Sequence, residues 1–149
     1  MIKILFVCHG NICRSPMAEF VMKDMVKKKG ISDMFEIASA ATSTEALGET
    51  VYPPARRKMN EKGINCSGKT ARQMTTDDYG YYDYIVAMDR LNLRNMARFV
   101  GNDPDNKVSL LMDYTSTPRD VADPWYTGDF EQTWDDVCAG CKGLLENIL

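Results

Sequence analysis

Ile2-Lys3-Ile4-Leu5-Phe6-Val7-Cys8-His9-Gly10-Asn11-Ile12-Cys13-Arg14-Ser15-Pro16 is the stretch on which the reading of the whole chain turns. Residues 2–7 form an apolar, β-rich run long enough for a buried strand, and Met17-Ala18-Glu19-Phe20-Val21-Met22 beyond the quoted stretch reads as helix. Strand, tight loop and helix is the architecture this implies. Ser15 suits a helix N-cap and Pro16 the first helical position, so the helix is predicted to start at that pair. A loop closed in this way turns its backbone N–H groups inward, toward the positive end of the helix dipole. The result is a concave site for an anion with several oxygens.

Into that loop the sequence places a thiol, Cys8, and a guanidinium, Arg14, with five residues between them. A sulfur beneath a ring of amide donors, near a helix start and an arginine, is expected to have its pKa lowered from roughly 8.5 to about 3.5–7.5, which makes it a nucleophile at neutral pH. Arg14 can grip two oxygens of a tetrahedral oxyanion and follow them as the centre becomes trigonal. Gly10 and Asn11 are residue types that tolerate left-handed backbone, and the Ser15 hydroxyl is placed to donate to Cys8. Taken singly, a cysteine at a strand end is more often a small buried hydrophobe. The joint pattern, in its strand-to-helix context, favours chemistry. It is no Walker loop, because the Gly-x-x-x-x-Gly-Lys-Ser/Thr spacing is missing.

At these residues the chain resembles the low-molecular-weight protein tyrosine phosphatases, whose signature is Cys-x-Gly-Asn-x-Cys-Arg-Ser. The resemblance continues through Ser39-Ala40-Ala41-Thr42, Ala71-Arg72-Gln73, Asp83 to Asp89 and Asp123-Pro124-Trp125, and so spans essentially all of residues 1–149. It implies hydrolysis of phosphotyrosine, or of an aryl phosphate, with inorganic phosphate as product and no cofactor. Cys8 would be phosphorylated in turnover, Arg14 and the loop His9, Gly10, Asn11, Ile12, Cys13 and Ser15 would hold the phosphoryl group, and Asp123 would handle protons. It further implies that Ser39 holds Asn11 in a second layer together with Ser15. Cys8 and Cys13 would form a reversible disulfide, which suits two thiols on one tight loop. The sequence departs from the pattern at Ala41, usually glycine, at Glu45, near a usual aromatic wall residue, at Ala46, where histidine often follows, and at Lys69, near a usual supporting histidine. With Glu45 there, the wall on that side is acidic, and His9, Trp125 and Tyr126 are left to complete it.

Composition sets the frame for this reading. The 149 residues suffice for one domain with a real core, and 44% apolar with 26% charged residues is ordinary for a globular protein. No apolar run approaches the roughly 18 residues of a membrane span, and the N-terminus has no signal-peptide layout, so a cytoplasmic location is expected. A net charge of −3 argues against general affinity for nucleic acid or anionic membrane. Five cysteines, an odd number, do not suggest a disulfide framework. Cys138-Ala139-Gly140-Cys141 lacks the further ligands a zinc site needs, with one histidine in the chain, so no metal is expected and Cys66 reads as packing. That one histidine, His9, adjoins Cys8, so no distant imidazole is available for Cys-His protease chemistry.

Along the chain, residues 16–29 read as an amphipathic helix ended by Gly30, 35–40 as a strand, Pro53 to Gly63 as a helix with Arg56 and Arg57 facing solvent, and 84–88 as a strand. Asp89 should start a helix carrying Leu91, Leu93, Met96 and Phe99; residues 108–112 read as the fourth strand and 130–149 as a closing amphipathic helix. The tyrosine-rich stretch 79–84 reads chiefly as packing ahead of its strand. The alternation predicts an α/β domain, and the resemblance implies a Rossmann-like fold of the phosphotyrosine protein phosphatase I type. It has a central four-stranded parallel sheet, helices on both faces and the ligand site at the carboxyl end of the first strand. Residues 113–128 form a long loop with three candidate acids, Asp113, Asp120 and Asp123. Asp123 is preferred, since Pro124 stiffens the chain behind it and Trp125 and Tyr126 add aromatic surface. Two other readings stay open: an arsenate reductase of the same fold, disfavoured because no cysteine lies between Cys66 and Cys138, and a non-catalytic oxyanion-binding or thiol redox sensor.

Overall fold

The computed structural model describes all residues, Met1–Leu149. The chain runs β1 (Ile2–Cys8), α1 (Arg14–Lys28), β2 (Phe35–Ala41), α2 (Pro53–Glu61), α3 (Thr76–Tyr81), β3 (Tyr84–Ala87), α4 (Arg90–Val100), β4 (Val108–Leu110), α5 (Pro124–Thr127) and α6 (Phe130–Ile148). The strands form one parallel sheet in the order β2-β1-β3-β4, with Cys8 paired to Ala41 and Val7 to Ala87. β1 therefore lies inside the sheet and ends where its neighbours end, so the loop after Cys8 emerges at the carboxyl edge.

The continuous apolar run of β1 is explained by burial on both faces. Ile4, Phe6 and Cys8 join a core with Met17, Val21 and Met22 of α1, Met59 of α2 and Val137, Cys141 and Leu144 of α6. Leu5 and Val7 point the other way, into a smaller core with Met96 and Val100 of α4, Met74 and Tyr82. Each fully buried aliphatic or aromatic side chain contributes about 1.5–3 kcal/mol. Two cores of unequal size thus clamp the strand that carries Cys8.

Three local expectations are corrected. α1 begins at Arg14, with Cys13 as N-cap and no side-chain cap, because the Ser15 hydroxyl is engaged by Cys8 and Asn11 instead. Pro16 is still tolerated, since the first turn has no intrahelical use for its N–H. The stretch before β3 is partly helical: Thr75 and Asp78 form a capping box for α3, a Thr-x-x-Asp signal present in the sequence. The fourth strand stops at Leu110 and gives way to a 3₁₀ turn over Leu111–Tyr114, and the long segment that follows contains α5.

α6 approaches that 3₁₀ turn closely enough to need glycine. A Cβ on Gly143 would lie 1.9 Å from the Tyr114 carbonyl oxygen, and one on Gly140 would lie 2.3 Å from Leu111 Cγ. Gly143→Ala is expected to destabilise the fold by about 3 kcal/mol, lowering Tm by roughly 6–12 °C in a thermal melt. Gly80→Ala in α3, where an added methyl meets nothing within 4 Å, should leave Tm unchanged or slightly raised.

Candidate active site

The loop between β1 and α1 uses its carbonyls and its amides differently. The carbonyls of Cys8, His9 and Ile12 accept from the N–H groups of Thr42, Ser43 and Tyr52 at 2.9, 3.1 and 2.9 Å. The amides of Gly10, Asn11, Ile12, Cys13, Arg14 and Ser15 donate to nothing in the chain. Backbone donors left in this way, at the start of a 15-residue helix, suit an external oxyanion.

Asn11 holds this arrangement. Its φ is 59°, in the left-handed region, and it is 1% exposed. Its Nδ2 donates to Ser15 Oγ at 2.8 Å and to Ser39 Oγ at 2.9 Å, while its Oδ1 accepts from the Arg72 N–H at 3.2 Å. Both hydroxyls therefore accept from Asn11 and have their own protons free to pass on. Ser39 donates to Glu19 Oε1 at 2.6 Å, and Ser15 Oγ lies within hydrogen-bond distance of Cys8 Sγ, at 3.0 Å, where it can donate to the thiolate. The buried Glu19 is in turn 3.5 Å from Lys69 Nζ, which also donates to the Ser39 carbonyl at 2.9 Å. Desolvation lowers the pKa of Lys69, against the opposing pull of Glu19. The lysine that departs from the family pattern is thus part of the support beneath the loop.

Arg14 is 2% exposed despite its charge. Its Nη1 donates to Asp89 Oδ2 and to the Val121 carbonyl, both at 2.7 Å, and its Nη2 lies 3.4 Å from Asp123 Oδ2. Burial opposes the charge on this guanidinium, but Cys8, Asp89 and Asp123 together outweigh it and raise its pKa. Asp89 also caps α4 by accepting from the Asn92 N–H at 2.7 Å, so one carboxylate starts a helix and orients the arginine. The sequence reading foresaw the cap alone.

Of the three candidate acids, Asp123 lines the same cleft as Cys8 and Arg14. Asp120 accepts from the Arg90 N–H instead, and Asp113 lies on the exposed side of the 3₁₀ turn. Asp123 Oδ1 caps α5 through the Trp125 N–H at 3.0 Å, leaving Oδ2 toward the loop. The cleft, of about 320 Å³, is lined by His9, Glu45, Ala46, Trp125 and Tyr126, and also by Glu49, to which nothing in the sequence pointed. Glu45 accepts from His9 Nε2 at 2.7 Å, and Trp125 leans on Tyr52 with ring centroids 4.8 Å apart. Cys13 also lines the cleft, but burial, Cys8 and Asp123 push its thiol up to about 12, against Arg14, so it stays protonated at pH 7.

The model of the low molecular weight phosphotyrosine protein phosphatase family matches residues 3–149. The chain belongs to this family. Among its curated relatives, the low molecular weight protein-tyrosine-phosphatase YfkJ of Bacillus subtilis is 37% identical over 150 residues, covering 99% of this chain and 96% of the relative. The crystal structure of YfkJ superposes with a TM-score of 0.96 over 99% of this chain and 94% of that one. The low molecular weight phosphotyrosine protein phosphatase of Sus scrofa is 38% identical over 151 residues, covering 97% and 94%. A structure titled as the drosophila arginine phosphatase DARP is 28% identical with a TM-score of 0.88, covering 99% of this chain and 98% of its own. The four-stranded parallel sheet is thus that of the phosphatase family. Phosphoproteins are the expected substrate class for a member, and no helix in this one is long and apolar enough to cross a membrane.

Asn11→Asp tests whether this phosphatase loop depends on the two Nδ2 donors, since it keeps side-chain size and tolerance of positive φ while removing both. Stability is expected to fall by about 3 kcal/mol, read from a denaturant melt. Affinity for inorganic phosphate, read by calorimetry, should fall by at least about tenfold. An unchanged phosphate affinity would show that the loop holds its shape without the asparagine.

Proposed function

We propose that the protein hydrolyses phosphotyrosine in polypeptides, and related aryl phosphate monoesters, through a phosphocysteine formed on Cys8. The observation that carries this reading is the convergence on one cleft of Cys8, Arg14 and Asp123 with the unengaged loop amides. Cys8 Sγ attacks phosphorus in line as the bond to the phenolic oxygen breaks, and Asp123, protonated at this stage, gives its proton to that oxygen. A water then attacks the phosphocysteine; Asp123 takes its proton, the S–P bond breaks and inorganic phosphate is released. Arg14 and the amides of Gly10 to Ser15 hold the three equatorial oxygens throughout, supplying positive charge from the chain itself. The Ser15 hydroxyl at 3.0 Å stabilises the sulfur as nucleophile and again as leaving group.

Asn11, Ser15 and Ser39 are positioning residues in this scheme, acting through the loop. Trp125, Tyr126 and His9 flank the ring of the substrate, and Glu45 fixes His9 from across the cleft. Cys13, a buried thiol beside Cys8, is the partner we assign to it on oxidation: a peroxide takes Cys8 to the sulfenic acid, the Cys13 sulfur attacks that sulfur and displaces water, and a thiol reductant reopens the disulfide. A mechanism that needs Cys8 reduced fits a cytoplasmic location.

Cys8→Ser should abolish turnover of p-nitrophenyl phosphate while retaining phosphate binding; a fully active variant would remove the covalent step. Asp123→Ala should slow phosphotyrosine by about 10²–10⁴-fold, and esters with better leaving groups much less. An equal loss across a series of aryl phosphates would take the acid role away from Asp123. Faster turnover of a phosphoarginine peptide than of its phosphotyrosine counterpart would overturn the substrate assignment.

A further inference from the structure

Beside the catalytic cleft lies a second one of about 350 Å³, lined by His9, Thr42, Ser43, Arg94, Asn95 and Arg98 and by no apolar residue. His9 lines both and forms the ridge between them. Three observations separate this cleft from ordinary polar surface. The first is an arginine row: Arg90, Arg94 and Arg98 recur every fourth residue along α4 and share one face. None of the three is paired with a carboxylate, although the chain as a whole is acidic; Arg72 and Arg119, by contrast, are each held by an aspartate. The second is Thr42, which lines the cleft, is 1% exposed and carries the one buried side-chain polar atom in the chain without a hydrogen-bond partner. Its carbonyl is occupied by Gln73 and Arg98. The third is asymmetry: the lining of the catalytic cleft includes Glu45 and Glu49, whereas that of the second cleft holds two arginines and no carboxylate.

We propose that this second cleft is an anion subsite, which takes a phosphorylated or acidic residue lying a few positions from the phosphotyrosine on the same polypeptide. The proposal rests on the phosphatase reading above. A free anion on an open cleft gains little, but one tethered to a phosphotyrosine already seated beyond His9 binds intramolecularly, at high effective concentration. Guanidinium groups accept phosphate and carboxylate alike through paired N–H donors. Glu45 and Glu49 repel an acidic residue from the catalytic cleft itself, which favours its placement among the arginines of the second cleft.

The test is a set of phosphotyrosine peptides carrying alanine, glutamate or phosphoserine at each position within four residues of the phosphotyrosine. They are compared with p-nitrophenyl phosphate at low ionic strength. In the unaltered protein, kcat/KM should be roughly tenfold higher for the best acidic peptide than for its alanine counterpart, chiefly through KM, and the advantage should shrink with added salt. Arg94 is exposed, so its variants should fold. Arg94→Gln should remove most of the advantage, Arg94→Glu should abolish or invert it and Arg94→Lys should keep much of it, all with p-nitrophenyl phosphate turned over at the unaltered rate. Glutamate matching phosphoserine would assign a general anion site, and phosphoserine alone a phosphate site; either supports the proposal. An acidic advantage that is missing from the unaltered protein, or survives Arg94→Glu, overturns the subsite while leaving the phosphatase reading intact. Failure to turn over any aryl phosphate, with no variant involved, overturns both.

Discussion

Six consecutive amides can stay without an acceptor only if something prevents their loop from relaxing, because backbone donors otherwise turn to find partners. In this molecule the restraint is the side chain of Asn11. It sits in a left-handed conformation with both amide hydrogens and its carbonyl engaged. Each of its partners belongs to a different part of the fold: Ser15 to α1, Ser39 to β2 and Arg72 to the segment that returns beside β2. The loop is therefore suspended from three elements through one residue. The two cores on either side of β1 keep those elements in register.

Charge is handled by the same economy of parts. A buried guanidinium is costly unless its donors are matched, and Arg14 meets that demand with Asp89, the Val121 carbonyl and the edge of Asp123. Val121 itself is tied to Met88, the residue between β3 and the cap of α4. The segment bearing Asp123 is thus anchored to the carboxyl edge of the sheet just where Asp89 emerges. Sheet order, with β3 next to β1, is what brings residues 75 and 107 positions away from Arg14 to its side.

How much of this could be read from the sequence follows from range. Cys8, Arg14 and Ser15 were legible because their spacing is local and their residue types are chemically unusual together. The apolar run of β1 and the helix starts at Asp89 and Pro53 were legible from short-range signals. The parts of the site that were not legible are contacts between distant elements: Asp89 on Arg14, Glu19 on Ser39, Lys69 on Glu19 and the arrival of Glu49 at the cleft. Ser15 shows the opposite case, a good capping residue whose hydroxyl is claimed by a sulfur and an amide from outside its helix. α3 was missed although its capping box is a local signal, because the run of tyrosines drew attention to packing instead.

Tyr52 joins two residues from separate segments that line the cleft, Ile12 and Trp125. Its N–H binds the Ile12 carbonyl on the phosphate side, and its ring supports the indole of Trp125 on the leaving-group side. The indole is thus linked to the loop backbone through Tyr52, as the Trp125 backbone N–H is linked to Arg14 through Asp123. By thermodynamic reciprocity, whatever seating the phosphate does to affinity at the indole, seating the aryl group does to affinity for the phosphate.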